Sequence, residues 1–179
     1  MSLKKVFVLS SLVLATAGLA ACSHGPTPAE AKELTTKAPT EVDRWRSELA
    51  KQGVLLIQQG WRLTFVLPVD RLFEPGTTDL LPSAYPLLER VAKMVEAYAH
   101  QTHKPYPIQV WGFADDVFGH TDQYRIAAQY AQSVGSFLWN QGISRQALSI
   151  VSKGIEDPVA AQNTTLGRSF NRRVVIQIH

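Results

Sequence analysis

Ile108-Gln109-Val110-Trp111-Gly112-Phe113-Ala114-Asp115, followed after a polar loop by Ile126-Ala127-Ala128-Gln129-Tyr130-Ala131, is the stretch on which the architecture turns. Residues 108–111 form a short β-rich run that stops at Gly112, the signature of a strand meeting a turn. Beyond the loop, Ile126, Ala127, Tyr130, Ala131, Val134, Phe137 and Leu138 recur at helical spacing, and Gly142 stands where a helix C′ residue belongs. A strand feeding an amphipathic helix needs a sheet to cover the helix's apolar face. Moving outward toward higher numbers, Ser144 caps a single helical turn, Leu148 to Val151 reads as a strand, and Val174 to Ile178 as the last one. Toward lower numbers, Leu88, Val91, Ala92, Val95, Tyr98 and Ala99 make a second apolar helix face, and Pro75-Gly76 marks a loop. Val54 to Ile57 and Leu63 to Leu67 read as two strands joined around Gly60. These elements predict an α+β domain over residues 53–179, with helices packed on one mixed β-sheet.

The first residues have a different character. Lys4 and Lys5 precede an apolar run from Val6 to Ala20, a secretory signal pattern that is short of the roughly 20 residues a spanning helix needs. It closes on Leu19-Ala20-Ala21-Cys22, and Cys22 is the single cysteine of the chain. A lone thiol in an exported protein has no disulfide partner within the chain. The tetrapeptide resembles the bacterial lipobox, which implies a signal peptide over residues 1–21 and fatty acyl chains, palmitate among them, on Cys22. Several such chains make a durable anchor where one alone is marginal. Ser23 follows, where an Asp would resemble an inner-membrane retention signal, so the expected location is the outer membrane, with the domain facing the periplasm. Residues 22–52 read as a lipid-anchored tether with a short helix. Gly25, Pro26, Pro28 and Pro39 keep its first part irregular, Thr40 and Asp43 form a capping-box pair, Trp45 and Leu49 share a face, and Gly53 closes the helix.

Removing the signal leaves 158 residues, enough for one domain with a proper core. Two of the 18 Lys and Arg residues go with it, so the remaining 16 face 15 acids and give nucleic acid no electrostatic footing. The remainder holds no second apolar segment long enough to span a membrane. His103, His120, Asp115, Asp116 and Asp122 supply acid-base groups, yet no His-Glu-x-x-His spacing or Gly-x-Ser-x-Gly elbow accompanies them. A non-catalytic protein without metal or cofactor, the covalent lipid on Cys22 aside, is expected.

The residues at the joints resemble the OmpA-like peptidoglycan-associated domain from about Leu72 onward. Leu72-Phe73-Glu74-Pro75-Gly76, with Leu81 after it, is similar to the family's opening Phe-x-x-Gly and Leu pattern. Gly112-Phe113-Ala114-Asp115 stands where the family has Gly-His-Thr-Asp. Gly154, Pro158, Asn163, Gly167-Arg168 and Asn171-Arg172-Arg173-Val174 match its last signature at several spaced positions. The resemblance implies an acid and an arginine that hold diaminopimelate of the peptidoglycan stem peptide, a ligand carrying both ammonium and carboxylate. The acid is kept as Asp115, whereas Tyr130 occupies the arginine position and Gln123 stands where Asn is usual. His120-Thr121-Asp122 is a second copy of the Thr-Asp pair, but the interval to Tyr130 favours Asp115.

Alternatives stay open for each residue. Asp115 either serves the pocket or caps its loop, and Tyr130 either lines the pocket or belongs to the core. Arg172 and Arg173, placed on a final strand, point to opposite faces, so one of them is solvated or structural. Arg125, five residues before Tyr130, is expected to face away from the pocket. The expected peptide-binding set is Asp115, Gln123, Tyr130, Asn171, Arg172 and Arg173. The combined features also resemble accessory OmpA-like lipoproteins of secretion machines of the type IVB kind. The expected role is therefore a structural subunit of such a complex, partnered by outer-membrane lipid and other subunits; the alternative is a peptidoglycan-binding anchor between outer membrane and cell wall.

Overall fold

A computed structural model of the chain describes residues 40–101, 107–117 and 120–179. The signal segment, Cys22, the Pro-rich stretch before Thr40 and His103 lie outside the described residues. Helix α1 (Glu41–Ala50) starts at the expected cap: the Asp43 amide donates to the Thr40 hydroxyl, and the Asp43 side chain receives the Thr40 amide at 3.1 Å. It ends where Gly53 adopts a positive φ of 76° and the Val54 amide returns to the Leu49 carbonyl at 3.0 Å. Leu49 is fully buried and Trp45 packs against the core. The helix packs with the residues that follow it, its apolar face sealed against the β1 edge of the sheet.

Strands β1 (Leu55–Gln59) and β2 (Arg62–Pro68) form an antiparallel hairpin, with Gly60 at a φ of 61° supplying the turn. A one-turn helix α2 (Val69–Leu72) leaves β2 directly. After a loop and a 3₁₀ turn (Pro82–Ala84), helix α3 (Tyr85–Gln101) follows, then β3 (Ile108–Phe113), α4 (His120–Asn140), β4 (Leu148–Gly154), α5 (Thr165–Asn171) and β5 (Arg173–Ile178). The five-stranded sheet runs β1-β2-β5-β3-β4. All its pairings are antiparallel except β3 with β4, which α4 bridges as a βαβ crossover. The sheet is mixed and its helices pack over it, as the periodicity predicts.

The core lies between the sheet and helices α3 and α4. Leu63, Phe65 and Leu67 alternate inward along β2, Val174, Ile176 and Ile178 along β5, and Val110 on β3. Leu88, Val91 and Val95 of α3 and Ala127, Ala131, Val134 and Leu138 of α4 close over them. Small residues fix how closely α4 lies on β3. A Cβ built on Gly112 would stand 1.8 Å from the Ala127 carbonyl oxygen and 3.2 Å from the Ala131 Cβ. The helix thus rests directly on the strand just before the loop that carries Asp115. Among the described residues no helix is long and apolar enough to cross a membrane.

Candidate functional site

Three elements converge on one pocket: the end of β3, the middle of α4 and the junction between α5 and β5. Past Gly112 the β3–β4 register shifts, a bulge that breaks the ladder before the strand ends. The Ala114 amide is caught by the Gly154 carbonyl at 2.7 Å, and Asp115 follows, only 3% exposed. One Asp115 oxygen accepts the Val117 amide at 3.3 Å, a turn-capping contact. The other accepts Nη1 of Arg172 at 2.5 Å. Asp115 thus caps its loop through one oxygen and lines the pocket.

Arg172 reaches the site because its neighbours are locked. Asn171 is the last residue of α5, and its buried side chain accepts the Val159 and Ala160 amides at 2.9 and 3.0 Å and donates to the Ala160 carbonyl. Arg173 opens β5 on the other side. It is buried over the Phe113 ring at 3.7 Å and donates to the Asp157 and Asn171 carbonyls. Burial pulls the Arg173 guanidinium below its ordinary pKa, with the charge of Asp157 opposing. Asn171 and Arg173 are thus structural clasps on the 155–161 loop and do not line the pocket. The two arginines diverge as expected, but the cause is a helix-to-strand junction at Arg172 rather than alternation along a continuous strand.

The guanidinium of Arg172 also grips Asp70 of α2, Nε to Oδ1 at 3.0 Å and Nη2 to Oδ2 at 2.8 Å, a bidentate fork. A further bond from the Val69 amide to the Arg172 carbonyl, 3.1 Å, ties α2 to the same junction. The bonds to Asp70, and secondarily to Asp115, raise the Arg172 pKa above its usual range against the opposing effect of burial. Asp70 carries no sequence motif, and its partner is 102 residues away, so no local signal pointed to it.

Tyr130 stands over this triad. It is 6% exposed, its ring packs at 4.7 Å from that of Phe73, and burial pushes its phenol up although Arg172 pulls it down. It is both a core residue and a pocket wall. The pocket encloses about 870 Å³. Its rim is the Glu74–Asp79 loop, held by the Glu74 amide on the Asp79 carbonyl, by Ser133 on the Thr78 carbonyl, and by Gly76 at a φ of 76°. Arg125 lines the pocket as well, contrary to its expected direction, because its long side chain lies along the helix surface between Asp122 at 3.1 Å and Gln129 at 3.4 Å. Gln123 is buried and does not line the pocket. Of the six expected peptide-binding residues, the fold brings Asp115, Tyr130 and Arg172 together and uses Gln123, Asn171 and Arg173 elsewhere. Five carboxylates and two guanidinium groups line the cavity. The arrangement suits a ligand that carries positive charge.

The family model described as the OmpA family matches residues 72–172. The probable lipoprotein YiaD of Escherichia coli is 27% identical over 133 residues, covering 74% of this chain and 58% of YiaD, so the chain spans less than two thirds of that relative. The peptidoglycan-associated lipoprotein of Agrobacterium fabrum is 31% identical over 132 residues, 72% of this chain and 71% of the relative. Among solved structures, the periplasmic domain of Helicobacter pylori MotB is similar at a TM-score of 0.60 and 28% identity, covering 70% of this chain and 81% of that one.

Proposed function

Since the chain belongs to the OmpA family, we propose that it is a non-catalytic peptidoglycan-binding anchor of the bacterial envelope. The observation that carries this reading is Asp115, buried at the base of an open pocket of about 870 Å³ and held by Arg172. An acid at that depth offers a partner to the ammonium of a stem peptide. Both Asp70 and Asp115 are clasped by the guanidinium of Arg172. A peptidoglycan-associated lipoprotein among the relatives supports the same reading. Cosedimentation of the full chain with purified sacculi tests it. Wild type pellets with the sacculi and Asp115→Ala loses most of that binding; a wild type that stays in the supernatant refutes the anchor.

The remaining features of the proposal concern attachment and context. The signal segment directs export and is removed, and acylated Cys22 then tethers the domain to the outer membrane. Fractionation with acyl labelling checks this, since Cys22→Ser should be unlabelled and lost from the outer-membrane fraction. A finer reading makes the protein a structural subunit of a type IVB-like secretion complex, by overall likeness to the lipoprotein DotK. Tyr130 in place of the family arginine favours it, as a change in the site that cell-wall binding alone would not ask for. Copurification with other outer-membrane subunits of such a complex is the corresponding test. The relatives and the intact Asp115 pocket weigh on the side of the anchor.

A further inference from the structure

The charges on the pocket floor bear on which stem peptide can enter. A carboxylate binds a guanidinium best through the two-point fork. In this protein that fork is already filled from within: Asp70 takes Nε and Nη2 of Arg172 at 3.0 and 2.8 Å, and Asp115 takes Nη1 at 2.5 Å. Three of the five N–H donors that a guanidinium owns are committed to the chain's own acids. The position that the family resemblance assigns to an arginine is Tyr130, whose buried phenol stays protonated and neutral. Arg125, the other lining cation, is engaged by Asp122 at the rim. A ligand carboxylate at the floor would bring a third negative group to one cation. An ammonium there would instead meet two carboxylates and balance the excess.

We propose, resting on the stem-peptide reading of the pocket, that it selects peptides whose diamino-acid side chain ends in an ammonium without a free carboxylate beside it. Asp70 sets this preference by occupying the fork of Arg172. Amidated diaminopimelate and lysine have that chemistry; free diaminopimelate does not. Asp70 acts as an internal substitute for the ligand carboxylate.

The test is calorimetric titration of the full-length protein, in detergent, with three synthetic tripeptides, alanyl-γ-glutamyl-X. X is meso-diaminopimelate, the same residue amidated on its side-chain carboxylate, or lysine. Intact sacculi are assayed in parallel. The amidated and lysine peptides should bind at least about tenfold more tightly than free diaminopimelate, the effect of one charged hydrogen bond made or lost. Asp70→Asn, at a half-exposed position, should strengthen binding of the free diaminopimelate peptide and bring the three ligands toward parity. Equal or tighter binding of free diaminopimelate by wild type overturns the proposal. So does a preference unchanged in Asp70→Asn with its circular dichroism intact, and so does binding of sacculi without binding of any tripeptide. Failure of sacculi and peptides alike overturns the anchor reading itself.

Discussion

Arg172→Gln and Asp115→Asn remove the two ends of one ion pair, and the geometry makes them unequal. The Asp115 side chain is 4% exposed, and apart from Arg172 its described partner is the Val117 amide at 3.3 Å. Taking away Arg172 leaves that carboxylate buried and uncompensated, a loss of about 3–5 kcal/mol. The Arg172 side chain is 26% exposed and keeps its fork on Asp70 when Asp115 is altered. The amide oxygen of an Asn in place of Asp115 still accepts a hydrogen bond, so the cost falls to about 1.5–3 kcal/mol, the size of one charged hydrogen bond. At roughly 4 °C per kcal/mol for a domain of this size, Arg172→Gln lowers the melting temperature by about 12–20 °C and Asp115→Asn by about 6–12 °C. The double variant should be no less stable than Arg172→Gln alone, because the stranded charge has gone. Urea and thermal unfolding followed by circular dichroism measure all three. Equal losses, the reverse order, or strict additivity would show that Asp115 does not depend on Arg172 for its charge.

Three other outcomes are expected from the packing. Gly112→Ala should cost at least about 1–3 kcal/mol in unfolding experiments, because the added methyl would press on the Ala127 carbonyl and lift α4 from β3. Asn171→Ala strands the amides of Val159 and Ala160. A loss of about 2–4 kcal/mol is expected, together with weaker sacculus binding in cosedimentation, although Asn171 does not line the pocket. Thr40→Ala removes the α1 cap and should lower stability by about 1 kcal/mol while leaving sacculus binding unchanged, since α1 lies outside the site.

The parts of the fold visible in the sequence are those with a period. The α4 face from Ile126 to Leu138 and the alternation of Leu63, Phe65 and Leu67 both locate their elements because burial repeats with the backbone geometry. Helix α5 shows no such repeat. Its Leu166 and Phe170 are 68% and 57% exposed, so its apolar residues mark no core face. Helix α2 spans four residues and is too short to show any period. The site was legible in half. Asp115 was recoverable through the family resemblance, which places an acid after Gly112 at that interval from position 130. Asp70 was not, because the contact that gives it meaning is made across the fold to Arg172 and leaves no trace in its neighbours. Arg125 was misplaced for a related reason. An angle around a helix axis locates a Cβ, while a long side chain carries its charge several ångströms from there.

Strand β5 occupies the middle of the sheet, between β2 and β3, yet it follows the other four strands in sequence. The β1–β2 hairpin on one side and the β3–α4–β4 unit on the other cannot join until residues 173–178 arrive between them. During synthesis both halves must wait with open edges for a segment made after them. Such long-range closure makes for slow folding and leaves exposed strand edges open to wrong partners in the interval. The same closing segment brings Arg172 to Asp70 and Asp115. Completion of the sheet and completion of the pocket are therefore a single event, and a nascent or clipped chain lacking this strand would hold no finished site with which to engage a ligand early.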